Sequence, residues 1–85
     1  MVVVDHVILK ILETLYDVEW TNVSEIYRAI RASFTTIRRR LELLEEKGMI
    51  ESRIVDMGRI RRIVKITEKG KEVFEKMCEL EKFFE

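Results

Sequence analysis

Proline is absent from the 85 residues, glycine occurs three times, and cysteine and histidine occur once each. The single cysteine, Cys78, excludes an internal disulfide and a cysteine-rich zinc site, and with His6 as the only histidine no His/Cys metal cluster can form within one chain. No nucleophile–base set, glycine-rich phosphate loop or paired acidic motif is present, so neither an enzyme nor a cofactor is expected. No apolar run approaches the ~20 residues that span a bilayer. The opening MVVVDHVILK is broken by Asp5, His6 and Lys10 and has neither a signal peptide's basic front nor its cleavage site. A soluble, cytoplasmic protein without a membrane partner is the expectation. Glutamine is also missing and Asn22 is the one asparagine, while 38% of residues are charged. That bias predicts an archaeal or thermophilic source, where ion-pair networks help and labile amides are avoided.

The length suits one domain over residues 1–85, with no linker, repeat or low-complexity stretch. A chain this short buries only about 60–65% of its unfolded surface, and oligomerisation is one remedy. Its sixteen basic and sixteen acidic residues cancel, but they are segregated. Residues 1–21 carry one lysine against four acids, for −3. Residues 22–66 carry eleven Lys/Arg against six acids, for +5. Residues 67–85 carry four lysines against six acids, for −2.

Val4, Val7, Ile8, Ile11, Leu12 and Leu15 recur at three- and four-residue spacing, which predicts an amphipathic helix over about 5–17 with Asp5 at its start. Asn22 and Glu25 form an asparagine version of a capping box, opening a second helix that runs to about Arg31 and buries Ile26, Ala29 and Ile30. After a three-residue break Ser33 caps a third helix, with Ile37, Leu41 and Leu44 inward and Gly48 at its left-handed end. From Met49 the apolar residues become β-branched and fall in two runs separated by DMGR, which reads as a β-hairpin. Thr67 caps a last helix, roughly 68–84. The class is α+β, mainly α.

A short helix, a tight turn, a longer helix and a two-stranded hairpin make a winged helix-turn-helix. The stretch NVSEIYRAIRASFTTIRRRLELLEEKGMIE, residues 22–51, resembles the helix-turn-helix of the small winged-helix transcription regulators of bacteria and archaea. VKITEKGKEV, residues 64–73, resembles their passage from wing to following helix. LLEEKGMI (43–50) and TEKG (67–70) are the most specific pieces, and their order and spacing strengthen each other. The resemblance spans about Trp20 to Glu72 and implies double-stranded DNA as partner, with the third helix in the major groove. Regulators of the multiple-antibiotic-resistance type add helices that form an effector pocket. This chain leaves no room for that pocket, so no small-molecule effector is expected.

Arg38, Arg39 and Arg40 adjoin one another in the third helix. At ~100° per residue from Ile37, Thr35 and Arg39 fall nearly opposite the core, Thr36 and Arg38 on the flanks, and Arg40 nearer the buried edge. Arginine there can bond guanine O6 and N7, and threonine can touch a thymine methyl or a phosphate. Arg40 reads as a phosphate contact or a partner for an acid such as Glu25. Arg53, Arg59, Arg61 and Arg62 cluster on the hairpin, suiting phosphate or minor-groove contact. The DNA-binding set is therefore Ser33, Thr35, Thr36, Arg38, Arg39, Arg40, Arg53, Arg59, Arg61 and Arg62. The plainer alternatives are a solvated face paired with Glu42, Glu45 and Glu46, and a hairpin guarded by charge against edge pairing.

Val73, Met77, Leu80, Phe83 and Phe84 form an apolar stripe on the last helix, part of which must cover the first helix. The remainder predicts a two-fold homodimer through the last helix, with Val2–Val4 or the first helix assisting and Leu43 as an additional contact. Trp20 reads as an aromatic core anchor, and Cys78 as a packing residue. Two other functions share this frame: a winged helix that binds protein, and a DNA-coating protein without sequence preference.

Overall fold

Apolar spacing and caps place the helices where the sequence predicts them. The computed structural model describes residues 5–56 and 58–83, the side chains of 81–83 excepted. Helix α1 spans His6–Tyr16, and the Asp5 carboxylate accepts from the Ile8 N–H at 2.9 Å. Helix α2 spans Val23–Ala29 with Asn22 accepting from Ser24 N at 3.1 Å, and α3 spans Phe34–Glu46 with Ser33 Oγ accepting from Thr36 N at 3.1 Å. Each cap satisfies an amide that has no partner within the first helical turn. Gly48 closes α3 at φ +75°, a left-handed conformation that glycine adopts without a Cβ clash.

The extended segments form a three-stranded antiparallel sheet. Strands β2 (Ile50–Asp56) and β3 (Ile60–Ile66) pair from Ile50↔Ile66 at the base to Asp56↔Ile60 at the tip. The two-residue strand β1, Thr21–Asn22, adds to β3 opposite Val64 and Ile63, giving the order β1-β3-β2. Helix α4 spans Glu68–Phe83. Among the described residues the core is wholly apolar: Ile8, Ile11, Leu12 and Leu15 of α1 meet Ile26, Ile30, Ile37, Leu41, Leu44, Ile50, Val64 and Ile66. This is, among the described residues, a winged helix domain of four helices and a three-stranded sheet.

The two motif pieces singled out in the sequence are one structure. Thr67 N donates to the Met49 carbonyl at 3.0 Å, and its hydroxyl donates to the Gly48 carbonyl at 2.7 Å while accepting from Gly70 N at 3.1 Å. Lys69 Nζ donates to the Lys47 carbonyl at 2.8 Å. The base of the hairpin, the end of α3 and the start of α4 are thus joined through backbone groups that would otherwise be left unpaired. Gly70 makes the approach possible: a Cβ there would lie 2.2 Å from the Met49 oxygen and 2.8 Å from Ile66 Cγ1.

Four details differ from the sequence reading. Helix α2 stops at Ala29, two residues short of Arg31, because Ile30 turns to extended backbone (φ −112°, ψ 128°) and drops its own side chain into the core. Ala29 faces solvent, since α2 buries only Ile26 along its short length. Glu25 lies 3.9 Å from Arg28, and the cap is made by Asn22 alone. Strand β1 has no counterpart in the sequence reading.

The close approach at Gly70 sets a stability test. Gly70→Ala should destabilise the domain by roughly 3 kcal/mol, because backbone must move to admit the methyl group. At about 4–8 °C per kcal/mol for a domain of this size, a thermal melt followed by circular dichroism reads the loss directly. A melting temperature within a few degrees of wild type would show that the junction yields easily.

Candidate nucleic-acid interface

Register determines which way each hairpin side chain points. Ile50, Ser52, Ile54 and Asp56 share a face with their opposites Ile66, Val64, Arg62 and Ile60. At the base this face is core, with Ile50 and Ile66 each 2% exposed. Toward the tip it runs out of protein to cover it. Arg53, Val55, Arg61, Ile63 and Lys65 occupy the opposite face.

Glu45 ties the hairpin to α3. Its carboxylate accepts from Arg62 Nη2 at 2.7 Å and from Ser52 Oγ at 2.9 Å, so one acid on the α3 flank holds a side chain from each strand. Arg53, from the other face, lies over the Trp20 ring at 4.7 Å from its centroid. Such a cation–π contact contributes about 0.5–1 kcal/mol at an exposed site. Trp20 is half-buried and stands outside the core cluster, so it serves as a platform for Arg53 and not as the core anchor read from the sequence.

The ten residues read as DNA contacts divide by what already holds them. Ser33 is committed to the cap, its hydroxyl donating to Thr36 Oγ1 at 2.8 Å as well as accepting from Thr36 N. Arg40 is hydrogen-bonded and ion-paired to Asp5, the α1 cap, and both side chains are about one-third exposed. The partner proposed from the sequence, Glu25, is thereby corrected to Asp5. Arg40 leans to the side of α3 that faces α1, where Asp5 meets it. Arg38 Nε lies 3.3 Å from Glu42 one turn on, a surface pair that contributes little. Thr35, Arg39, Arg59 and Arg61 are exposed, and among the described residues none of these three arginines has an ion-pair partner.

A cleft of about 420 Å³ separates the start of α2 from the end of the hairpin, lined by Asn22, Ser24, Arg28, Arg59, Arg61 and Arg62 among others. Its one acid is Glu25, beside Arg28. Arg28 belongs to α2 and is exposed. The structure brings it to the same recess as three hairpin arginines. Phe34 was missed altogether: it is 63% exposed at the first turn of α3 and stacks on Tyr27 with ring centroids 4.5 Å apart. An aromatic one position after a cap is the signal that could have marked it.

The other side of α3 borders an apolar groove of about 220 Å³ lined by Ile8, Leu43, Leu44, Lys47, Met49, Val73 and Met77. Val73 and Met77 are half-buried there and Leu80, further along α4, is 61% exposed. Val2–Val4, Phe84 and the Phe83 side chain lie outside the described residues.

Comparison with known proteins gives the same architecture. A family model described as winged helix DNA-binding domain matches residues 7–83. An uncharacterized protein of Methanocaldococcus jannaschii is 33% identical over 67 residues, covering 78% of this chain and 73% of that one. A transcriptional regulator from Clostridium thermocellum superposes with a TM-score of 0.83 at 24% identity, over 93% of this chain and 85% of its own. A PadR family transcription regulator from Clostridium difficile R20291 gives 0.81 at 22% identity, over 94% and 91%. At these identities the two solved structures speak for the fold.

The division among the arginines is testable by stability alone. Burial acts to raise the Asp5 carboxyl, but the Ile8 amide and the hydrogen bond and charge of Arg40 outweigh it and hold the group below the ordinary aspartate value. A carboxylate depressed in the folded state stabilises above its unfolded pKa, and that contribution is lost as pH falls through the folded one. Wild-type stability should therefore decline in the acid range more steeply than that of Asp5→Asn. At neutral pH Arg40→Gln should lose about 1 kcal/mol, while Arg39→Gln stays within about 0.5 kcal/mol of wild type. Equal melting temperatures for the two arginine variants would overturn the division.

Proposed function

The chain belongs to the winged helix DNA-binding domain family, and from that membership we propose a homodimeric transcriptional regulator that binds double-stranded DNA in a sequence-dependent way. In this reading residues 1–85 act as one DNA-binding unit. Thr35, Thr36, Arg38 and Arg39 enter the major groove from the first half of α3, and Arg59 and Arg61 carry the hairpin onto the neighbouring backbone or minor groove. Arg28 and Arg62 join the latter pair along the cleft, while Ser33, Arg40 and Arg53 act through the positions of their neighbours.

The observation that carries the reading is the Glu45 tie. It fixes the arginine-bearing hairpin relative to the face of α3 that presents Thr35 and Arg39. Two basic elements held in register by a shared acid suit a periodic anion such as a duplex. A charge-guarded hairpin edge would need no such tie. The role is one of binding, with no catalytic step assigned.

Dimerisation through α4 is supported by the apolar groove beside Val73 and Met77 and by the exposure of Leu80 on the same helix face. Phe83 and Phe84 continue that stripe in the sequence. A two-fold pair would set two α3 helices about one DNA turn, ~34 Å, apart on an inverted repeat. The composition, 38% charged with no glutamine, supports a thermophilic source.

Fluorescence anisotropy of a labelled random-sequence duplex, repeated between ~50 and 200 mM salt, tests the DNA reading. Affinity should fall log–log linearly with salt, at about −0.9 per neutralised phosphate, and Arg39→Glu with Arg61→Glu should abolish binding without unfolding the protein. Absence of binding at the lowest salt would overturn the proposal in favour of a protein-binding winged helix. Sedimentation tests the dimer separately. Leu80→Asp should convert a wild-type dimer to a folded monomer, and a wild type that is already monomeric would overturn it.

A further inference from the structure

The pairing of β1 with β3 builds a recess with two cationic walls. Asn22 lies opposite Ile63, so α2 starts beside the strand that carries Arg61 and Arg62. The cleft of about 420 Å³ between them has Glu25 and Arg28 on the α2 wall and Arg59, Arg61 and Arg62 on the hairpin wall. Four arginines against one lining acid leave a local charge of +3, or +2 when Glu45 beside Arg62 is counted. Like charges on facing walls repel, and an anion placed between them relieves the repulsion.

The shape and charge of the recess narrow the ligand. Its volume falls within the range of small-molecule sites, about 300–1,000 Å³. A duplex backbone is convex and spaces one charge per nucleotide along each strand, so it meets the rim of such a recess. The space between the walls suits a compact polyanion. A single carboxylate would leave most of the local charge uncompensated, whereas a chain of linked phosphates matches it. Arginine forks bond phosphate oxygens two at a time. Asn22 adds a neutral donor: its oxygen accepts from Ser24 N and Ser24 Oγ, each at 3.1 Å, so the cap fixes its orientation and leaves its NH2 group to donate.

We propose that this cleft binds a small polyphosphate, the triphosphate chain of a nucleotide or its inorganic equivalent, between Arg28 on one wall and Arg59 and Arg61 on the other. Arg62 contributes less, because Glu45 holds it at 2.7 Å. Glu25, 3.9 Å from Arg28, is the acid that the ligand must face. The regulatory consequence rests on the DNA-binding reading above. Arg59 and Arg61 cannot serve a ligand and a duplex together, so the polyphosphate releases the protein from DNA, and DNA weakens polyphosphate binding by the same factor. The expectation of no effector concerned a pocket formed by additional helices. This recess is formed instead by β1, which has no counterpart in the sequence reading.

Isothermal titration calorimetry on the protein without DNA tests the site, with sodium tripolyphosphate and separately with ATP. Both should bind, and sulfate at matched ionic strength should not. Equal affinity for the two would support the cleft as a reader of the phosphate chain alone, and tighter binding of ATP would support a nucleotide as the ligand. Arg28→Gln should weaken tripolyphosphate about tenfold, and Glu25→Gln should tighten it several-fold. Arg31→Gln removes an exposed arginine of the same region that lies outside the cleft, and should leave the affinity unchanged. Binding no stronger than that of sulfate, or an equal loss in Arg31→Gln and Arg28→Gln, would overturn the site. In the anisotropy assay at ~50 mM salt, tripolyphosphate should displace the duplex at concentrations where sulfate of equal ionic strength does not. Equal displacement by the two would overturn the competition. A protein that binds tripolyphosphate but no duplex at the lowest salt would overturn the DNA reading and leave the site standing, which separates the two failures.

Discussion

The junction of Met49, Thr67 and Gly70 is the constraint on which the rest of the molecule depends. A two-stranded hairpin is marginal by itself in water, and this one projects until its inner face is bare at Ile54 and Ile60. It is stable because its two ends meet at a single point, where the Met49 carbonyl accepts from Thr67 N and the Thr67 hydroxyl bridges Gly48 and Gly70. That point is also the end of α3 and the start of α4. A shift there would move the hairpin relative to α3 and α4 relative to α1 together. The absence of a Cβ at Gly70 is what lets three elements share so small a space.

From this junction the arginines acquire different fates. Those near the body are used to hold it: Arg40 to the α1 cap, Arg62 to Glu45, Arg53 over Trp20. Those at the periphery, Arg39, Arg59 and Arg61, have no ion-pair partner among the described residues. Glu45 and Glu42 have a second consequence in this arrangement. They offer carboxylates to Arg62 and Arg38, so a phosphate that engages either arginine must displace an existing partner. Such competition weakens binding to any duplex that offers only charge. It favours duplexes that also satisfy base or groove contacts, which makes it a means of raising specificity at the expense of affinity.

Much of the fold was legible because the signals were local. Asp5, Asn22 and Ser33 each cap the helix they precede, and the three- and four-residue spacing of Ile8, Ile11, Leu12 and Leu15 corresponds to the buried face of α1. Gly48 and Gly58 both adopt positive φ, as a helix end and a turn require. The parts that were not legible depend on distant contacts. Strand β1 is two residues long and exists only because β3 lies beside it. Trp20 carries no local sign that Arg53, 33 positions later, will cover its ring. Arg40 and Asp5 are 35 positions apart, and helical phase could say only that Arg40 leans toward the core edge. At the candidate site, phase separated outward from inward residues well. It could not say which outward arginines were already paired.

The neutrality of the chain hides how its charges are used. Residues 1–21 bring two acids to the basic middle of the sequence, Asp5 to Arg40 and Glu19 to Lys65. Both cations lie toward the body, Arg40 on the α1 side of α3 and Lys65 near the hairpin base, opposite Glu51. In α4, Glu68 pairs with its own neighbour Lys71. None of these acids reaches the hairpin tip. Exposed charges separated by more than about 10 Å at 0.1 M salt hardly feel each other, so a distant carboxylate cannot cancel Arg59 or Arg61 at contact with an anion. The net charge of zero therefore says little about what the tip attracts. What decides it is that the carboxylates are spent where the chain must be held together, and the tip is left positive.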